Sequence, residues 1–146
     1  NKIRFAFDHV VMTSKLIDGT FPDYQRVIPA NNDKIVDVDP KTLSRAIDRV
    51  STISDGKSRA IKISLKGKTV TLSANSPEAG SATEDIEVKS EAPDMEIGFN
   101  AKYLLDITSL IDGDGCRITL ADSASPTIIQ DTSDTSALFV LMPLRV

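Results

Sequence analysis

Tryptophan is absent, cysteine and histidine occur once each, and aromatic residues make up 5% of the 146-residue chain. A single cysteine, Cys116, excludes an internal disulfide and suits a reducing compartment. It stands at the start of a strand-like run with no histidine close in sequence, so it reads as a small buried side chain rather than a nucleophile. The one histidine, His9, falls in a turn between two strand-like runs, the ordinary place for a solvated imidazole. Apolar runs are all too short to span a membrane, and no signal peptide is visible. Walker loops, Gly-x-Gly-x-x-Gly and Gly-x-Ser-x-Gly elbows are missing too. Asp112-Gly-Asp-Gly115 is too short for a calcium loop and reads as a turn. These absences leave nothing that resembles a catalytic centre, and no cofactor or metal is expected.

What remains is a chain that is 40% hydrophobic, enough for one globular core built from Ile, Leu and Val. Net charge is −4 and the pI is near 4.9, unlike a protein that grips phosphate over its whole surface. A nucleic-acid role would require charge segregated between faces.

From Asp33 onward the sequence repeats one order of elements: strand, helix, and three strands. The first unit has Lys34–Asp39 as its opening strand, a helix from Pro40 to about Ser54, a hairpin of 59–65 and 68–73 turning at Lys66-Gly67, a loop over 75–82 and an acidic strand over 84–89. The second has Met95–Phe99, a helix from Asn100 to Ile111, and strands over 117–121, 127–130 and 137–142. Asp39 and Asn100 are the expected helix caps, and Pro40 suits a first helical position. In the first helix Leu43, Ala46, Ile47 and Val50 share a face; in the second Tyr103, Leu104, Ile107, Leu110 and Ile111 are expected to be buried. The run Leu138–Met142 is apolar throughout and predicts a central strand covered on both sides. The fold class expected is α+β: a duplicated βαβββ unit with two helices packed on antiparallel sheets.

Ahead of the repeat, residues 1–13 read as two strands joined near Asp8-His9, which suggests the tail of a preceding domain in a longer chain. Residues 14–29 hold Gly19, Pro22 and Pro29 among Phe21, Tyr24, Val27 and Ile28, a connector expected to be pinned to a surface.

Two surface features stand out. Lys41, Arg45 and Arg49 fall on one side of the first helix and could face phosphates, although any solvated helix shows such a face. Apolar groups gather at 21–28 and 140–146, which either close on each other or leave a groove of the kind that captures peptides.

Three stretches carry a specific resemblance: Ser14-Lys-Leu-Ile-Asp-Gly-Thr-Phe-Pro-Asp-Tyr-Gln-Arg-Val-Ile-Pro29, Met95-Glu-Ile-Gly-Phe-Asn100 and Phe139-Val-Leu-Met-Pro-Leu-Arg145. They resemble the bacterial sliding-clamp family, the beta subunit of DNA polymerase III. The likeness covers the last strands of the middle clamp domain (1–24) and the C-terminal domain (25–146). It implies the DNA-clamp fold, with helices facing a central hole and curved sheets outside. It also implies a non-enzymatic, cytoplasmic processivity factor whose full-length form is a homodimeric ring around double-stranded DNA, without sequence specificity and without membrane attachment. The implied partners are the polymerase III alpha subunit, the clamp loader and repair polymerases, which dock through short clamp-binding motifs. By match to the family, the peptide pocket would comprise Pro22, Arg26, Val27, Asn100, Tyr103, Val140, Met142, Pro143, Leu144, Arg145 and Val146. The subunit interface would use Thr52, Ile53, Glu78 and Glu84, with Glu87 by proximity. Helical phase makes Lys41, Arg45, Arg49 and Lys102 the DNA-facing set. The alternative is a structural module or small enzyme domain on a duplicated scaffold, without a DNA link.

Overall fold

A computed structural model describes residues 1–54 and 59–145. Strands β1 (Lys2–Phe7) and β2 (Val10–Lys15) pair only with each other, through a turn at Asp8 and His9. Every residue of this hairpin is exposed, including Phe5 and Phe7, whose rings stack with centroids 6.5 Å apart. The connector that follows contains one 3-10 turn over Tyr24–Arg26. Its expected burial is not found: Phe21 is 83% exposed, and Tyr24 and Val27 are exposed as well. Gly19 and Pro22 break regular structure here, so its apolar groups are not gathered onto one face that could pack.

The duplication is real, and its two halves exchange a strand. The first unit is β3 (Lys34–Val38), α1 (Pro40–Ser51), β4 (Ala60–Lys66), β5 (Thr69–Ser76) and β6 (Gly80–Glu87). After the short β7 (Lys89–Ser90) come β8 (Met95–Asn100), α2 (Ala101–Thr108), β9 (Cys116–Leu120), β10 (Thr127–Asp131) and β11 (Phe139–Leu141). One sheet runs β6-β5-β4-β8 and the other β11-β10-β9-β3-β7, so each three-strand meander takes in the other unit's first strand. All pairings are antiparallel. Asp37 and Arg117 lie opposite each other across β3 and β9, and two 2.8 Å hydrogen bonds tie the halves at that point.

Helix boundaries follow local chemistry. Asp39 accepts a hydrogen bond from the Thr42 N–H, Asn100 accepts one from the Lys102 N–H at 2.9 Å, and Pro40 fills the first position of α1. Both helices stop earlier than the apolar spacing predicts. Thr52 Oγ1 donates to the Asp48 carbonyl, and in α2 Thr108 Oγ1 and Ser109 Oγ donate to Leu105 and Asp106 carbonyls. Such hydroxyls satisfy last-turn carbonyls and compete with further helix. The expected helix stop over 54–58 lies mostly outside the described residues.

Four strand expectations are corrected. The hairpin turns at Gly67-Lys68, one residue later than expected, because Lys66 pairs with Thr69. The supposed loop over 75–82 is largely strand: Ala74 and Ser76 continue the buried alternation of Val70 and Leu72 with smaller side chains. Ser76 Oγ accepts the Glu78 and Ala79 N–H groups and folds the turn that follows. The acidic strand correspondingly ends at Glu87, and Lys89–Ser90 cross to pair with β3. Finally, β11 is an edge strand rather than a central one, with only Leu141 fully buried.

The core draws on both units: Leu43, Ile47 and Val50 from α1, Leu104 and Ile107 from α2, and inward strand residues such as Ile61, Leu72, Phe99 and Ile129. The helices pack directly on each other, and α1 also covers β4, β5 and β6.

Candidate functional site

Helix α2 is only two turns long, and its flank beside β11 is not filled. Tyr103 and Leu110, expected in the core, are 55% and 65% exposed. They lie where β11 approaches the helix, and between them opens a cavity of about 610 Å³. Its other wall is Leu138 through Met142, with Met142 59% exposed. Asp106 is the one charged side chain on its lining; the rest is apolar or aromatic. The continuous apolar run at 138–142 is thus explained without a central strand: Leu141 faces the core, and its neighbours wall the cavity.

Of the residues that resemblance assigns to a peptide pocket, Tyr103, Val140 and Met142 line this cavity together. Pro22, Arg26 and Val27 do not line it; they belong to the exposed connector. Asn100 is spent on capping α2, and Leu144 bridges to Gly98. Pro143 is half-buried and Arg145 exposed, both outside the cavity lining, and Val146 lies outside the described residues. Ile107, Leu110, Leu138 and Phe139 are lining residues that sequence reasoning missed. No sequence signal marked Leu110 and Leu138, because both fell inside expected elements, a helix to Ile111 and a strand over 137–142, that the structure ends at Thr108 and starts at Phe139.

The cationic side chains lie outside the cavity lining. Lys41 and Arg45 are exposed on α1 and Lys102 on α2, with acidic Asp48 and Asp106 interspersed. Arg49 is committed elsewhere: its guanidinium makes two hydrogen bonds to the Glu84 carboxylate on β6. That pairing holds the Glu84 pKa below the usual carboxylate range. It joins the last turn of α1 to β6, and just past that turn Thr52 is exposed and Ile53 half-buried. Glu87 is exposed at the end of β6 and Glu78 in the turn before it. Strand β6 is an outer strand of its sheet.

Two further titratable groups, Cys116 and Asp131, are strongly shifted by their surroundings. Cys116 is buried, and burial pushes its thiol up to about 12, which removes the thiolate needed for nucleophilic chemistry. Asp131 accepts from the Ser133 hydroxyl, the Ser133 N–H and the Gly113 N–H, which together hold it down at about 2. A Cβ at Gly113 would collide with the Asp131 carboxylate and the Ser133 hydroxyl, so a larger residue there would displace that hydrogen-bonded pair. Among the described residues no group of three or more His, Cys, Asp or Glu side chains is placed to hold a metal ion. Nor is any helix among them long and apolar enough to cross a membrane.

Known proteins give a comparison consistent with this geometry. The family described as the DNA polymerase III beta subunit, C-terminal domain, matches residues 25–145. A beta sliding clamp of Caulobacter vibrioides is 48% identical over 145 residues, 99% of this chain and 39% of its own length. The beta sliding clamp of Escherichia coli K12 is 37% identical over 146 residues, 100% of this chain and 40% of its own. Among solved structures, a Caulobacter crescentus beta sliding clamp with polyethylene glycol at a region suggested for beta-motif tethering superposes with a TM-score of 0.93 at 48% identity, covering 99% of this chain and 39% of that one. A Bartonella birtlesii clamp bound to griselimycin gives 0.93 at 46% identity, with the same coverages of 99% and 39%. The chain spans about 39% of the length of the first curated relatives it matches.

Proposed function

The chain belongs to the beta sliding clamp family, with residues 25–145 matching the C-terminal domain of the DNA polymerase III beta subunit, and from that premise we propose that it is the peptide-docking part of a processivity sliding clamp. In this reading the protein performs no chemical step. The complete chain closes as a homodimeric ring around double-stranded DNA in the cytoplasm and tethers the polymerase III alpha subunit, the clamp loader and repair polymerases. The DNA-facing set is Lys41, Arg45 and Lys102, with Arg49 at its margin. A few exposed cations on an acidic protein suit encirclement, because a duplex that must slide should release few counterions. The subunit interface lies at the outer strand β6 and the end of α1, with Thr52, Ile53, Glu78, Glu84 and Glu87, and takes a cationic partner edge.

The observation that carries the reading is the apolar cavity between α2 and β11. Tyr103, Leu110 and Met142 stand exposed around it, whereas most of the other exposed large apolar side chains belong to the hairpin and connector over residues 3–27. A thioether beside an aromatic ring gives an adaptable apolar slot for a short peptide. Pro22, Arg26, Val27, Asn100, Pro143, Leu144, Arg145 and Val146 complete the proposed site around it.

The test is titration of an acetylated Gln-Leu-Ala-Leu-Phe peptide, followed by NMR. Saturable shifts at Tyr103 and Met142 are expected, with the Kd raised at least tenfold by Met142→Ala, about 1.4 kcal/mol. Absence of shifts at both residues overturns the docking reading.

A further inference from the structure

The last strand ends before its chain segment leaves the fold. β11 pairs with β10 as far as Leu141, which lies opposite Thr127. Met142 and Pro143 follow without a strand partner, and Leu144 then forms an isolated antiparallel bridge with Gly98. Its N–H donates to the Gly98 carbonyl at 2.8 Å. Gly98 belongs to β8, at the edge of the other sheet, beside β4. Residues 142–144 are therefore a strap between the edges of two sheets, held by a ladder at one end and by this bridge at the other.

Met142 sits within that strap, 59% exposed, and it walls the cavity together with Tyr103. Pro143 beside it has no N–H to give to either sheet and has a fixed φ. A segment tied at both ends presents its middle side chain in one place, whereas a segment held at only one end frays. Fraying would transfer the cost of ordering Met142 to the binding step.

We infer that the Leu144–Gly98 bridge is a positioning contact for the peptide site, one that acts through Met142. The inference rests on the docking reading above and adds to it the element that pre-orders the cavity wall. Leu144 acts here through its backbone N–H rather than its side chain, which makes the claim separable by substitution. Leu144→Ala trims the side chain and keeps the donor; Leu144→Pro removes the donor.

The experiment uses 13C-methyl methionine NMR, in which Met12 and Met95 serve as internal references, together with amide exchange and titration of the same Gln-Leu-Ala-Leu-Phe peptide. The Leu144 amide is expected to be protected in the wild type. Leu144→Ala should leave the Met142 methyl signal in place. Leu144→Pro should move that signal toward its random-coil position, spare Met12 and Met95, and bind peptide about tenfold more weakly than Leu144→Ala. An unprotected Leu144 amide, or an unmoved Met142 signal in Leu144→Pro, overturns the inference, as does equal peptide affinity of the two variants. If the wild type binds no peptide, the docking reading falls, while the Met142 signal still decides whether the bridge anchors the strap.

Discussion

The two βαβββ units share an order of elements and a way of starting a helix, yet their helices present opposite surfaces. Helix α1 shows Lys41, Arg45 and Asp48 to solvent and lays Arg49 across to Glu84. Helix α2 shows Lys102 and Asp106 too, but it also shows Tyr103, and with Leu110 just past its end it borders an apolar cavity. Inside, the correspondence is close: Leu43 and Leu104 stand four residues after their caps and are 2% and 1% exposed. A repeat therefore conserves what faces the core, where packing is demanding, and leaves the outer faces free to diverge into an electrostatic surface and a binding groove.

The strongest way to break the comparison is to empty the same position in both units. Leu43→Ala and Leu104→Ala should each cost about 2–5 kcal/mol. Each should lower a single cooperative transition rather than melt one half, because both sheets contain a strand from the other unit. Two resolved transitions in calorimetry would show that the halves are independent.

A smaller effect separates the caps. Asp39 titrates and Asn100 does not. The hydrogen bond from the Thr42 hydroxyl, followed by that from the Thr42 N–H, lowers the Asp39 pKa from 3.8. A depressed carboxylate contributes stability that is complete above its unfolded value and is lost as pH falls through the lower folded value. Asp39→Asn should therefore reduce the stability lost below about pH 4, whereas Asn100→Ser should leave the acid limb unchanged. Parallel acid limbs for wild type and Asp39→Asn in urea unfolding would remove charge from the account of α1's cap.

The smallest effect concerns Arg49 and Glu84. Their side chains are 59% and 27% exposed, so solvent screens the pair. Glu84→Gln should leave the Tm unchanged within error and alter the Arg49 side-chain NMR signal. A clear loss of Tm would make this contact a structural tie between α1 and β6 rather than a surface arrangement.

How much was readable in advance depended on range. Both helix starts were legible because a cap and its N–H partner are two or three residues apart. The duplication and most strands were legible from the alternation of side chains. The strand ends within 75–82 were not, since Ser76 and Ala82 occupy inward positions there and carry little apolar signal. The fate of residues 138–142 was misjudged because an apolar run fits a doubly covered strand and a cavity wall equally well. Of the cavity, Tyr103, Val140 and Met142 were named by resemblance, and Leu110 was placed in the core instead.

Sequence alone determined the local grammar: where helices begin, which faces are apolar, and that one unit occurs twice, all consequences of neighbours along the chain. Tertiary structure decided the rest. The strand exchange between units, the union of Arg49 with Glu84 thirty-five residues away and the closure of Leu144 onto Gly98 each join groups whose pairing no periodicity encodes. Such contacts are selected only when the whole chain competes for its best set of partners, and they are what turned two similar units into two different surfaces.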